Sequence, residues 1–265
     1  MADQGIVQVT VKDGVGTVTL NRPDIRNAFD DRLIAELTAC FGRFSKDASV
    51  RVIVLTGAGK AFCAGADLNW MKAMVNFSKE ENVRDSMAMA RMFRAIDECP
   101  KPVIGRINGA AIGGGAGLVA VCDIAVARED AVFAWSEVKL GLVPAVISPY
   151  VLARIGPAKA REYFLTGERF NAQRAREIGL IDHLAKDDAA MDALITEKVK
   201  ALMTSGPEAV AVAKDLIRMV RTLPDDQVAQ RTADIIAGLR VGKEGQEGMR
   251  SFLEKRSPSW APKKD

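Results

Sequence analysis

The sequence predicts an α/β protein: a mainly parallel sheet built early in the chain, followed by a run of helices. Three observations predict it. Apolar runs of strand length alternate with helical stretches before residue 190, and the strand signals then stop. A chain of 265 residues with 48% hydrophobic content can also bury one substantial core. We therefore expect a core over 1–190 and a helical subdomain over 191–265.

The elements follow in order. GIVQVTV (5–11) and GVGTVTLN (14–21) carry β-branched residues at period two around Lys12-Asp13-Gly14, which predicts a hairpin that NRP (21–23) ends. A helix starts at the cap Asp30 and puts Leu33, Leu37, Cys40 and Phe44 on one face. RVIVLTG (51–57) and PVIGRI (102–107) have the form of strands buried on both faces, and a Met-rich helix covers 79–97 between them. DIAVA (123–127) and AVFAW (131–135) read as further strands, and His183 as the end of a short one. Strands and helices in this alternation imply βαβ crossovers. Beyond 190, Ile195, Val199 and Leu202 form one amphipathic face and Ala213, Leu216, Ile217 and Val220 another, with more helices at 227–240 and 244–256.

Composition removes several classes of function. Net charge is +3 and the basic residues are scattered, so we expect no nucleic-acid partner. Four cysteines lack zinc-like spacing and His183 is the sole histidine, which leaves no histidine-rich metal site and little basis for a Ser-His-Asp triad. The opening MADQGIVQV has neither the basic head nor the apolar run of a signal peptide. The longest apolar stretch, Ile107 to Val121, is interrupted by Asn108 and five glycines, so no membrane span is expected and the cytoplasm is the default location. TGAGKAF (56–62) lacks the first glycine and the Ser/Thr of a phosphate loop, and IGGGAG lacks the third glycine of a dinucleotide fingerprint.

What remains is AFCAGADL (61–68), INGAAIGGGAG (107–117) and the acid of FAWSEVKLGLVP (133–144). Two glycine-rich turns can bring backbone N–H groups from separate segments to one small oxygen, the geometry of an oxyanion hole. Taken singly, each turn could equally be tight packing. Glu137 adds an acid/base group beside Phe133, Trp135, Val138 and Leu140, whose exclusion of water would raise its pKa. The bland alternative for Glu137 is a structural salt bridge. Asp67 reads as a helix cap and Asp123 as the start of a strand, while Cys63 has no evident base to make it a nucleophile.

These motifs, with NRPDIRNAF (21–29), LTGERFNAQRAREIGLID (165–182) and EGQEGMRSFLEKR (244–256), resemble the crotonase, or enoyl-CoA hydratase/isomerase, superfamily. The resemblance implies a ββα spiral core with a C-terminal helical trimerisation subdomain, and a homotrimer or dimer of trimers. It implies an acyl-CoA thioester substrate and no separate cofactor, coenzyme A being part of the substrate. Oxyanion donors fall on the N–H groups of Ala66 and Gly114, and the substrate-binding residues are Ala64, Gly65, Ala66, Asp67 and Leu68 of the first turn with Gly114 and Gly117 of the second. The backbone around Ala64 would meet adenine, and Phe252 and Lys255 would line the CoA site, often that of a neighbouring subunit.

One departure matters. The best-known hydratases of the family carry a catalytic glutamate where this chain has Gly117, so only Glu137 remains. GLV (117–119), SEVKLGLVPAVISPYV (136–151) and the C-terminal EGQEGMRSFLEKRSPSW resemble bacterial methylglutaconyl-CoA hydratases of leucine and isoprenoid catabolism, which share the gap. The expectation is an enoyl-CoA hydratase for a branched or carboxylated acyl group, with room at Gly117 for its bulk. A Δ3,Δ2-enoyl-CoA isomerase using the single Glu, and a non-catalytic acyl-CoA- or RNA-binding protein, are the alternatives.

Overall fold

A computed structural model describes residues 5–262 of the chain; MADQ at the start and the last three residues of the Lys-containing tail lie outside the described residues. Strands β1 (Val7–Lys12) and β2 (Val15–Leu20) form the predicted antiparallel hairpin. Asp13 and Gly14 at its tip have φ of 50° and 79°, the left-handed pair that matches strand twist in a two-residue turn. Helix α1 (Asp31–Phe44) starts where Asp30 accepts from the Leu33 N–H, as its cap position predicts, and buries Leu33, Leu37, Cys40 and Phe44.

Strand β3 (Val52–Gly57) is buried along its whole length. It is followed by β4 (Ala61–Cys63), α2 (Leu68–Met74) and α3 (Lys79–Asp97). Ser78 and Glu81 close a capping box that fixes where α3 begins. Then come β5 (Val103–Ile107), β6 (Ala110–Ile112), α4 (Gly114–Val121), β7 (Ile124–Arg128) and β8 (Val132–Ala134). Helix α5 (Ser148–Thr166) is broken at Gly156, whose φ of 73° and following Pro157 are incompatible with a continuous helix. Strand β9 (Phe170–Asn171), α6 (Ala172–Glu177), β10 (His183–Ala185) and α7 (Asp188–Met203) complete the α/β part. Helices α8 (Pro207–Val220), α9 (Asp225–Val241) and α10 (Lys243–Leu253) end the chain.

The strands make two sheets. The larger runs β1-β2-β3-β5-β7-β10, parallel throughout after the hairpin; the smaller runs β4-β6-β8-β9, with only β9 antiparallel. This is the expected α/β architecture, two mixed sheets with C-terminal helices. The period of two along β3 divides the core. Ile53 and Leu55 point into the main cluster with α1 and α3, while Val52 and Val54 meet Met191 and Ile195 of α7 on the other face.

Two readings need correction. His183 opens β10 rather than ending a strand, because Asp182 still belongs to the turn: its carboxylate accepts from the Ala125 N–H at 2.7 Å. The two glycine-rich segments are not turn throughout: Ala61–Cys63 of the first is β4, and in the second Ile107 ends β5 and Ala110–Ile112 is β6. Among the described residues no helix is long and apolar enough to cross a membrane.

Candidate active site

The site forms where the smaller sheet delivers its connections. Strand β4 leads into Ala64–Asp67, and the parallel neighbour β6 leads into Gly113 and the start of α4. The two turns touch: a Cβ on Gly65 would lie 2.9 Å from the Ile112 carbonyl oxygen, and one on Gly115 only 2.2 Å from that of Cys63. Backbone approach this close requires glycine at both positions. Gly65 also has a φ of 89°.

Backbone bonding around the first turn leaves one N–H over. Phe29 donates to the Gly65 carbonyl at 2.7 Å and accepts from the Asp67 N–H at 2.7 Å, bracketing Ala66. The Ala64 N–H is held by the Arg26 carbonyl. The Ala66 N–H has no acceptor among the described residues, and Ala66 is exposed. Gly114 opens α4, so its N–H is one of the unpaired donors of a helix start, and Gly114 is partly open as well. These are the two N–H groups on which the family resemblance places the oxyanion donors.

Glu137 is brought to the same place by the turn that follows β8. It starts a short 3-10 turn, Glu137–Leu140, and its Oε1 lies 3.1 Å from where a Gly113 Cβ would stand. Its Oε2 is buried with no hydrogen-bond partner, and Glu137 forms no salt bridge among the described residues. Burial is the main cause that raises its pKa; a bond to its own backbone N–H opposes this. Glu137 therefore lacks the partner of a structural ion pair among the described residues, and its desolvated carboxylate lies against Gly113, next to the start of α4.

The surroundings sort the remaining candidates. Asp67 accepts from the Asn69 and Trp70 N–H groups, so it caps α2. Leu68 is 74% exposed in the first turn of that helix. Asp123 accepts from the Val103 N–H and pairs with Lys214 at 2.8 Å, a structural post. Burial pushes the Cys63 thiol up to about 12, which leaves it inert. Phe252, 83% exposed, and Lys255 stand at the end of α10, which packs on α8 and α9.

Gly117 differs from expectation. A Cβ there would lie 2.4 Å from Ile147 Cγ2 and 3.1 Å from the Phe93 ring. The room anticipated for an acyl end is occupied by the chain's own side chains.

The supports of the first turn were not singled out from the sequence. Asn27 is fully buried with φ of 57°; its amide donates to the carbonyls of Ala58, Ala61 and Phe62, and its Oδ1 accepts from the Arg22 N–H. Arg22 pairs with Asp30 at 2.9 Å and with Asp67 at 3.4 Å. Asn108 spans the same loop, accepting from Gly57 and donating to Gly59. The signal was the polar NRPDIRNAF string, too polar for a buried segment unless its groups are bonded.

Comparison with known proteins shows what the whole chain is similar to. The enoyl-CoA hydratase/isomerase family profile matches residues 10–263. A putative enoyl-CoA hydratase of Thermus thermophilus is 34% identical over 256 residues, covering 96% of this chain and 99% of that protein. The crystal structure of an enoyl-CoA hydratase from Shewanella pealeana superposes with a TM-score of 0.94 at 40% identity, covering 97% of both chains. A putative enoyl-CoA hydratase/isomerase (crotonase) from Legionella pneumophila gives 0.89 at 43% identity, over 96% of this chain and 98% of that one. With two free N–H groups, a desolvated glutamate and a family match along nearly its whole length, the chain belongs to the enoyl-CoA hydratase/isomerase family.

Proposed function

We propose that this enoyl-CoA hydratase, a hydro-lyase, adds water to a branched or carboxylated α,β-unsaturated acyl-CoA with Glu137 as its single acid/base group. The observation that carries the reading is the unpaired Glu137 carboxylate beside the free N–H groups of Ala66 and Gly114. The thioester oxygen accepts from both N–H groups. Glu137 takes a proton from water as the water oxygen bonds to the β-carbon, and the π electrons move onto the thioester oxygen. Protonated Glu137 then returns that proton to the α-carbon, so one H and one OH are added and the carboxylate is regenerated. Each oxyanion donor contributes roughly 3 kcal/mol to lowering the barrier. Desolvation raises the proton affinity of Glu137, which suits a group that must both take and give a proton near neutral pH. Coenzyme A arrives as part of the substrate, and the chemistry needs no other cofactor.

The acyl class rests on the resemblance of the 117–119, 136–151 and C-terminal segments to methylglutaconyl-CoA hydratases. A second reading has a specific observation behind it. Ile147 and Phe93 fill the position of a second carboxylate, and a Δ3,Δ2-enoyl-CoA isomerase needs only one base. Loss of conjugated thioester absorbance across straight, branched and carboxylated enoyl-CoAs tests the first reading, with fastest turnover expected for the branched or carboxylated ones. Migration of 3-enoyl double bonds without any hydrated product would establish the second.

A further inference from the structure

We propose that Arg51, at the entrance to β3, is a positioning residue that latches the C-terminal segment carrying Phe252 and Lys255 to the core. The inference rests on the reading above that those two residues meet coenzyme A.

Arg51 lies far along the sequence from that segment, yet its guanidinium binds it directly. Nη1 donates to the Trp260 carbonyl at 3.0 Å and Nη2 to the Ser205 carbonyl at 2.6 Å. Its own N–H is fixed by the Gly14 carbonyl at the hairpin tip, so the fork projects from a rigid sheet edge. A planar fork that reaches two carbonyls of different segments is a task lysine cannot copy in full.

Each segment that Arg51 touches is tied onward. The Trp260 indole N–H donates to the Thr204 carbonyl at 3.1 Å, next to Ser205. Glu247 accepts from Arg256 at 2.7 and 2.9 Å and from the Ser259 N–H at 2.9 Å, folding the tail back on α10. Glu244 accepts from the Glu208 and Ala209 N–H groups, seating α10 on the start of α8. Lys255 sits at the reversal between these anchors, with φ of 54°. The exposed Phe252 and Lys255 are therefore flanked by the seat of α10 on α8 and by the tail bonds after residue 255, and among the described residues the hydrogen bond from that tail to the core sheet is the one from Arg51 to Trp260. The bond to Trp260 is partly buried, which strengthens it relative to an exposed one, while the bond to Ser205 is exposed.

The test compares two thioesters of one enoyl group, the CoA ester and the N-acetylcysteamine ester, which lacks the nucleotide. Arg51→Met should raise KM for the CoA ester at least about tenfold with kcat little changed, and leave kcat/KM for the short ester within about twofold. Arg51→Lys, which keeps the charge and one bond, should fall between; it also serves if the methionine variant is poorly folded. Trp260→Phe removes only the indole bond and should shift KM in the same direction by less. Equal losses on both esters, or no change on either, would overturn the latch. Lys255→Ala separates the layers: if it raises KM for the CoA ester and Arg51→Met does not, only the latch fails. If Lys255→Ala has no effect, the C-terminal contact with coenzyme A fails and the latch with it.

Discussion

A single carboxylate carries the proposed chemistry, and its environment has a cost for stability. Glu137→Gln keeps the shape and removes the proton relay, so kcat should fall at least about a hundredfold with ester binding largely kept. Steady-state kinetics and a binding titration check this; near-normal turnover would remove Glu137 from its role. The same substitution should stabilise the fold at neutral and alkaline pH. Burial raises the folded-state pKa, so between the unfolded and folded values the native protein holds a proton that the unfolded chain has released. Stability from this group is therefore lost as pH rises from the unfolded value, about 4.3, through the folded one. The melting temperature of Glu137→Gln should exceed that of the parent at pH 8, and the gap should close as pH falls toward 4. Gly117 is a second residue-scale case. Gly117→Ala should destabilise by about 1–3 kcal/mol through overpacking against Ile147. In an Ile147→Ala background the same change should cost less, which urea unfolding of the four-member cycle would reveal.

At the scale of elements, the first oxyanion turn is a loop made rigid by buried polar side chains. Asn27 supplies three donations to loop carbonyls while in a left-handed conformation that asparagine tolerates better than most residues. Asn27→Ala should cost about 2–4 kcal/mol, because buried carbonyls are left unsatisfied. It should lower kcat as well, since Ala61 and Phe62, which lead into Ala64–Asp67, lose their anchor, although Asn27 touches no reacting atom. Chemical denaturation with kinetics on the folded fraction separates the two effects. Unchanged kcat would mean that Phe29 and Gly65 alone hold the turn.

For the whole molecule, the apolar side chains left exposed late in the chain set the expectation. Ile217, Val241, Phe252 and Leu253 stand out of α8, α9 and α10 or at their ends, more than a solvated surface needs. The resemblance to the crotonase superfamily implies a trimer or a dimer of trimers, and light scattering at micromolar concentration should give one of those masses. A fully active monomer would overturn this.

The sequence by itself determined the elements whose signal is local. The Asp13-Gly14 hairpin, the Asp30 cap, the buried β3 and helix α3 at 79–97 all follow from periodicity and caps that act within a few residues. Through the family resemblance of their motifs it also pointed to Glu137 and the two glycine-rich turns as the groups proposed to carry the chemistry. Only the tertiary structure decided the rest. The smaller sheet is made of strands two or three residues long, too short to show a period, and exists because β4, β6, β8 and β9 pair with one another. The state of Gly117 was likewise invisible: whether a missing side chain leaves space depends on Ile147 and Phe93, which arrive from α5's approach and from α3. The orphaned Glu137 oxygen and the Arg51 latch are also facts of juxtaposition, since burial and hydrogen bonding between distant segments leave no trace in local pattern.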